Sequence, residues 1–288
     1  MMSHPDRDPW FDYEGKSSPY DLLVNGLEMR GEHVHGVFTT WIARQSTCEY
    51  MVWNDLLDFH EMGEVESAET PASLRGTALH NLLAYGTEDD PLVEFRDPAT
   101  GHFLQWRDAE TLRAYQANRL QNPRDDRVTE YSLCGQISGL QVRGTLDAFD
   151  LESGSILEYK TRARPTIPYA QERKNRIQSM VYYYLVKNYD KIVNDPDFPS
   201  GSISDYVKIQ YFYQSDCRLL GEYVVHVPYE AYRFLQYIDS IKAFWQGFRP
   251  PTFNLAACPS CRHNTTCYQA KKHSRSGQHS HGTRGRKN

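Results

Sequence analysis

Between Thr129 and Thr161 the chain alternates apolar and polar residues and breaks at glycine-bearing turns. A period of two fits strands and is incompatible with a helix. LCGQISGLQVRG, TLDAFDLESGS and ILEYKT read as three successive short strands of a meander. An amphipathic segment of helical period follows over about 168–188, PYAQERKNRIQSMVYYYLVKN, with Pro168 at its start. Strands are expected again at 205–214 and 221–227, and a closing helix at 228–248. Ahead of the meander, helices are expected at 46–60, at 73–86 with Ser73 as N-cap and Gly86 as stop, and at 102–120. The order of elements gives an α/β protein with a central mixed sheet flanked by helices.

A length of 288 residues, 40% hydrophobic and 13% aromatic, suits one large domain or a domain with a helical cap. Residues 1–36 read as a flexible lead-in, 37–271 as the folded domain and 272–288 as a disordered basic tail. A net charge of −5 excludes whole-molecule attraction to nucleic acid but leaves a local basic surface open. No apolar run is long enough to cross a bilayer. The polar, acidic start lacks the marks of a signal or transit peptide, so an intracellular, membrane-free protein is expected.

The stretch GTLDAFDLESGSILEYKTR concentrates the chemistry. Glu158 and Lys160 stand two apart on one strand and so share a face. A hairpin through Glu152–Ser155 returns Asp147 beside them. Two hard carboxylates suit Mg²⁺ or Mn²⁺, and an ammonium beside them suits a phosphate undergoing hydrolysis. An exposed hairpin with an ordinary ion pair would show the same spacing, so D-x10-E-x-K does not decide the matter alone. Gln178 and Tyr182, four apart on the long helix, share a face. His80 in the preceding helical segment can complete a metal's ligands. Lys160, Arg162, Arg164, Arg173, Lys174 and Arg176 fall within seventeen residues, with Glu172 as their one opposing charge in that stretch. Such a run can track phosphates or form a solvated helix face. Tyr169, Tyr182, Tyr183 and Tyr184 supply rings for stacking on unpaired bases or for packing the helix on the sheet.

Of six cysteines, Cys258, Cys261 and Cys267 crowd into ten residues, a pattern of metal binding rather than disulfides. Spacing does not separate zinc from iron–sulfur. Cys134 and Cys217 fall in strand-like segments and read as buried thiols that bind nothing.

The succession Gly144-x-x-Asp147, Glu158-x-Lys160-Thr161-Arg162 and Gln178-x3-Tyr182 resembles exonuclease V, a RecB-like branch of the PD-(D/E)XK nucleases. The likeness spans about residues 41–270, and Leu146 replaces the literal proline. It implies a restriction-endonuclease-like core with a helical iron–sulfur cap. By that resemblance Asp147 and Glu158, with His80, bind Mg²⁺ or Mn²⁺, and Lys160 is the catalytic lysine. Gln178 and Tyr182 contact the strand or support the site, and Glu130 is a candidate carboxylate just outside the ligand set. Arg162, Arg164, Arg173, Lys174 and Arg176 contact DNA. A [4Fe–4S] cluster on Cys48, Cys258, Cys261 and Cys267 joins the two ends of the fold. The implied activity is release of short oligonucleotides from a free end of single-stranded DNA, by a monomer serving DNA repair in nucleus or mitochondrion. A single-strand-binding protein is a further candidate partner. The rival readings are a CRISPR-associated RecB-like nuclease and a non-catalytic DNA-binding subunit.

Overall fold

The computed structural model describes residues 17–32, 35–62, 76, 79–80, 83, 95–96, 103–104, 127–167, 172–189, 203–215 and 218–272. In chain order its elements are α1 (Pro19–Glu28), β1 (Val37–Phe38), α2 (Thr39–Gln45), α3 (Glu49–Met62), β2 (Phe95–Arg96), β3 (Phe103–Leu104), β4 (Arg127–Ile137), β5 (Leu140–Asp150), β6 (Ser155–Arg162), α4 (Glu172–Tyr189), β7 (Tyr206–Tyr213), β8 (Leu219–His226), α5 (Val227–Trp245) and a 3₁₀ turn (Leu255–Ser260). They form two compact units, one from both chain ends (Met1–Val65 with Tyr237–Asn288) and one from Glu66–Gln236.

The middle unit carries the sheet, in the order β4–β5–β6–β7–β8. Neighbours β4/β5, β5/β6 and β7/β8 run antiparallel, while β6 and β7 run parallel. A parallel pair needs a crossover, and α4 lies between β6 and β7 in the chain and packs on β4, β5, β6 and β7. The mixed α/β core expected from the sequence is thus present. The meander is also present, with a corrected first turn. LCGQISGLQVRG is not one strand but the two arms of the β4–β5 hairpin. Ser138 (φ 49°) and Gly139 (φ 75°) form the bend. Positive φ at both central residues matches a type I′ turn, whose twist suits a two-residue hairpin. The second turn, before Ser155, falls where expected.

Two other expectations change. Phe103 and Leu104 pair antiparallel with Arg96 and Phe95, so the helix expected from 102 does not begin there. The lead-in expected over 1–36 contains α1, started by a capping box. The Ser18 hydroxyl accepts the Asp21 N–H at 3.1 Å, and the Asp21 carboxylate accepts the Ser18 N–H at 2.9 Å. The expected start of the long helix at Pro168, and Tyr169, lie outside the described residues.

In the other unit, residues far apart in sequence meet. Trp41 stacks on Trp245 with ring centres 6.1 Å apart, and the Trp245 indole donates to Gln45 at 2.8 Å. Two carboxylates of α3 carry the rest. Glu49 takes both Arg249 Nη atoms, at 2.6 and 2.7 Å, and the Thr252 N–H at 2.7 Å. Asp55 is 0% exposed and meets Arg44 at 2.8 Å, Arg262 Nε at 2.9 Å and His263 Nε2 at 2.5 Å. These partners offset the desolvation cost of burying a carboxylate. No helix among the described residues is long and apolar enough to cross a membrane.

Candidate metal centre

The site forms where the sheet's ladders are interrupted. The β5–β6 ladder runs from Asp150–Ser155 to Ala148–Leu157. At the next residue the Asp147 side chain replaces a backbone acceptor, its Oδ2 taking the Tyr159 N–H at 2.6 Å. On the other side, the β4–β5 ladder passes from Thr129–Ala148 to Tyr131–Leu146. Glu130, between them and opposite Asp147, has a φ of 49°. A non-glycine residue rarely adopts that conformation within a strand, and the strain persists only where surroundings impose it.

Glu130 and Asp147 both reach His80. His80 Nδ1 lies 3.2 Å from Glu130 Oε1, and Nε2 lies 3.1 Å from Asp147 Oδ2. Among the described residues, these three form the grouping whose ligand atoms all fall within 4.8 Å of one another, the compactness one ion requires. Glu130, expected just outside the ligand set, therefore belongs within the group by distance.

Glu158 and Lys160 share a face of β6, as their spacing requires, and the Lys160 ammonium hydrogen-bonds the Glu158 Oε1. Lys160 also donates to Gln178 Oε1 at 3.1 Å. The Gln178 amide nitrogen lies 3.4 Å from the Tyr182 hydroxyl. The Gln-x3-Tyr step on α4 thus reaches the ammonium, with Tyr182 in the core behind Gln178. Glu158 is 0% exposed, and its second oxygen, Oε2, has no hydrogen-bond partner among the described residues. Glu158 lies outside that three-residue group but within electrostatic reach of Asp147 and His80, and hard carboxylate oxygens with an imidazole fit a divalent cation.

The electrostatics fit the same chemistry. Burial pushes Glu158 up, the Asp147 charge adds to this, and Lys160 offsets part of it, leaving the carboxyl at about 7. Burial pulls His80 down, but hydrogen bonds to Asp147 and Glu130 more than offset it and lift the imidazole to about 10. Burial lowers Lys160, and the charges of Glu158 and Asp147 reverse that into a net rise. Burial, then Glu158 and Asp147, hold the Tyr182 phenol well above its usual range, so it stays neutral. Carboxylates crowded against a cationic lysine and imidazole leave an excess proton for an incoming cation to displace.

The basic run is less uniform than its sequence. Arg164 and Arg173 are exposed, whereas Arg176 meets Glu230 of α5 at 3.3 Å. The Arg162 guanidinium donates to the Thr166 carbonyl at 3.3 Å, and Lys174 is half-buried. Tyr183 is buried like Tyr182, and Tyr184 stacks on Phe234 with ring centres 5.3 Å apart. These tyrosines pack the helix.

Cys48 and Cys267 are buried, and Cys258 and Cys261 half-buried. Burial, then the nearby Cys267, Cys48 and Cys261, raise the Cys258 thiol. Cys261 is raised by burial, eased by the His263 N–H, and raised again by Cys48 and Cys267. The four sulfurs thus lie within electrostatic reach of one another. No three of them form a group within 4.8 Å. Cys134 is half-buried rather than buried and accepts from the Gln141 amide at 3.1 Å, and Cys217 lies outside the described residues.

A mixed sheet with its carboxylates at interrupted ladders and helices packed against it defines a mixed α/β core. Among solved structures, this chain is similar to a candidate exonuclease from Eubacterium rectale, with a TM-score of 0.53 at 13% identity over 85% of this chain and 91% of that one. It also matches SSO0001, with a TM-score of 0.43 at 14% identity over 85% of this chain and 94% of that one. No known sequence family and no curated protein matches it.

Proposed function

We propose that this chain is a Mg²⁺- or Mn²⁺-dependent exonuclease that hydrolyses single-stranded DNA from a free end, releasing short oligonucleotides in DNA repair. The observation that carries the reading is the convergence of His80, Glu130 and Asp147, with Glu158 and its bound Lys160 within electrostatic reach of Asp147 and His80. His80, Glu130, Asp147 and Glu158 would hold the cation. Once bound, it would polarise a phosphoryl oxygen and lower the pKa of water. Lys160, oriented by Glu158 and Gln178, then offsets charge developing on the phosphate. His80 serves as a ligand only after losing its proton, and Asp147 and Glu130 fix the orientation of its ring. Arg164 and Arg173 present exposed charge for the strand's phosphates.

A [4Fe–4S] cluster on Cys48, Cys258, Cys261 and Cys267 is part of the same proposal. Sulfurs around one zinc ion lie roughly 3.8 Å apart, from a Zn–S distance of about 2.3 Å. No three of the four sulfurs lie that close, so the choice of a cluster over zinc rests on the exonuclease V resemblance. Cellular site of action, nucleus or mitochondrion, follows the exonuclease V resemblance.

The test is digestion of labelled single strands with Mg²⁺, blocked at the 5′ or the 3′ end, alongside duplex and RNA. Cleavage of the DNA strand from one unblocked end, abolished by Asp147→Ala, is the expected result. Cleavage undiminished in Asp147→Ala would remove the site, and cutting of strands blocked at both ends would remove the exonuclease reading.

A further inference from the structure

Gly76, four residues ahead of His80 in a helical segment, sits on the sheet at Thr161, at the end of β6. A Cβ there would fall 2.8 Å from Thr161 Oγ1 and 3.0 Å from Gln214 Nε2. Those two side chains are hydrogen-bonded to each other at 3.2 Å, and Gln214 is buried. The Gln214 N–H is in turn held by the Arg162 carbonyl at 2.9 Å. A Cβ at Gly76 would therefore have to displace the Thr161–Gln214 hydrogen bond. Gly76 has no left-handed φ, so its backbone tolerates any residue, and alanine is the better helix former. Space alone demands glycine here.

The same contact sets the depth of the imidazole. Thr161 and Tyr159 alternate with Glu158 and Lys160 and so share the opposite face of β6. Gly76 backs onto Thr161, and the His80 ring meets Tyr159 edge-on with centres 6.0 Å apart. With Gly76 against Thr161 and His80 against Tyr159, both residues rest on the same face of β6, so a side chain that pushed Gly76 off that face would act on the seating of His80. His80 makes its two carboxylate contacts at 3.1 and 3.2 Å, with no slack for such a step.

We infer that Gly76 is a positioning residue: its lack of a side chain lets the helix seat on the Thr161–Gln214 clamp and brings His80 within ligand distance of Asp147 and Glu130. This rests on the reading of those residues as the cation site. Relieving the contact needs a shift of roughly half an ångström or rotation of Thr161 out of its hydrogen bond, and catalytic geometry tolerates little more than that.

The experiment measures Mn²⁺ affinity by calorimetry, chelator-referenced melting curves, and single-strand cleavage. Gly76→Ala should weaken Mn²⁺ binding about tenfold and lower kcat more than it raises KM. Thr161→Ala, which removes the oxygen that a new methyl would strike, should stay within about twofold of wild type. The Gly76→Ala/Thr161→Ala pair should recover most of the Mn²⁺ affinity. Wild-type Mn²⁺ affinity in Gly76→Ala overturns the inference, as does a double variant no better than the single one. If Gly76→Ala does not fold, recovery of both fold and Mn²⁺ affinity in the double variant supports the inference, and failure to recover overturns it. Asp147→Ala separates the two levels. Mn²⁺ bound normally by that variant defeats the site itself, whereas loss there with an unaffected Gly76→Ala defeats the positioning role alone.

Discussion

Removing the amine of Lys160 should damage activity at every pH but stability only at alkaline pH. In Lys160→Met, Glu158 keeps its place, fully buried, and loses its counter-charge. The carboxyl has two ways to relax, unfolding or taking up a proton. With Lys160 present it already stands at about 7, because burial and the Asp147 charge outweigh the ammonium. The folded value is above the unfolded one of 4.5, so the native state binds the extra proton. Stability from this group is therefore complete below about 4.5 and is lost as pH rises towards about 7. Stripping one partner from a buried pair costs about 3–5 kcal/mol, which lifts Glu158 by roughly two to four further pH units. At pH 6 both proteins hold the proton and differ by little. Between pH 7 and 9 only the variant still holds it, and the gap should grow by about 1.4 kcal/mol per pH unit, to about 3 kcal/mol at pH 9. Urea unfolding of metal-free protein at pH 6, 7.5 and 9, read by tryptophan fluorescence, measures this. An equal loss at all three values would show that Glu158 is not the buried, proton-accepting partner described, and the reasoning would fail.

Asp55→Ala should destabilise the unit built from the chain ends by about 3–5 kcal/mol, since Arg44, Arg262 and His263 lose a fully buried partner. Faster hydrogen exchange across 255–270, with the middle unit unchanged, is the expected signature. Mn²⁺ at about a hundred times its dissociation constant should stabilise the wild type by about 2.7 kcal/mol and Asp147→Ala not at all, as thermal shift can show. Because His80 stands near 10 without metal, Mn²⁺ affinity should rise with pH across the neutral range, and a flat calorimetric profile would contradict that. Protein purified without air should show a broad absorption near about 400 nm that Cys258→Ser removes, and a colourless wild type would exclude the iron–sulfur cluster.

The strand alternation from 129 to 161 carried most of the fold, because one face of each strand is buried and the period of two is hard to disguise. Its one misreading, the Ser138–Gly139 turn, came from a short Ser-Gly step inside a continuous alternation. The approach of Asp147 to Glu158 and Lys160 was legible for a related reason: strand geometry converts spacing into position. Glu130 was legible only as a carboxylate just outside the ligand set, because its approach to His80 goes with a backbone angle no local pattern announces. The Tyr159 N–H on Asp147 and the Gly76 contact were hidden likewise, as products of tertiary packing. Glu49 and Asp55 were the least readable. On an isolated helix they look like solvated charges, and their partners lie about two hundred residues away.

Those distant partners set an order of assembly. The helix that begins at Glu49 leaves the ribosome long before Arg249, Thr252, Arg262 and His263 exist to meet its carboxylates. Meanwhile the chain from Glu66 to Gln236 can complete its own contacts. Cys48, beside that helix, is synthesised about two hundred residues before Cys258, Cys261 and Cys267.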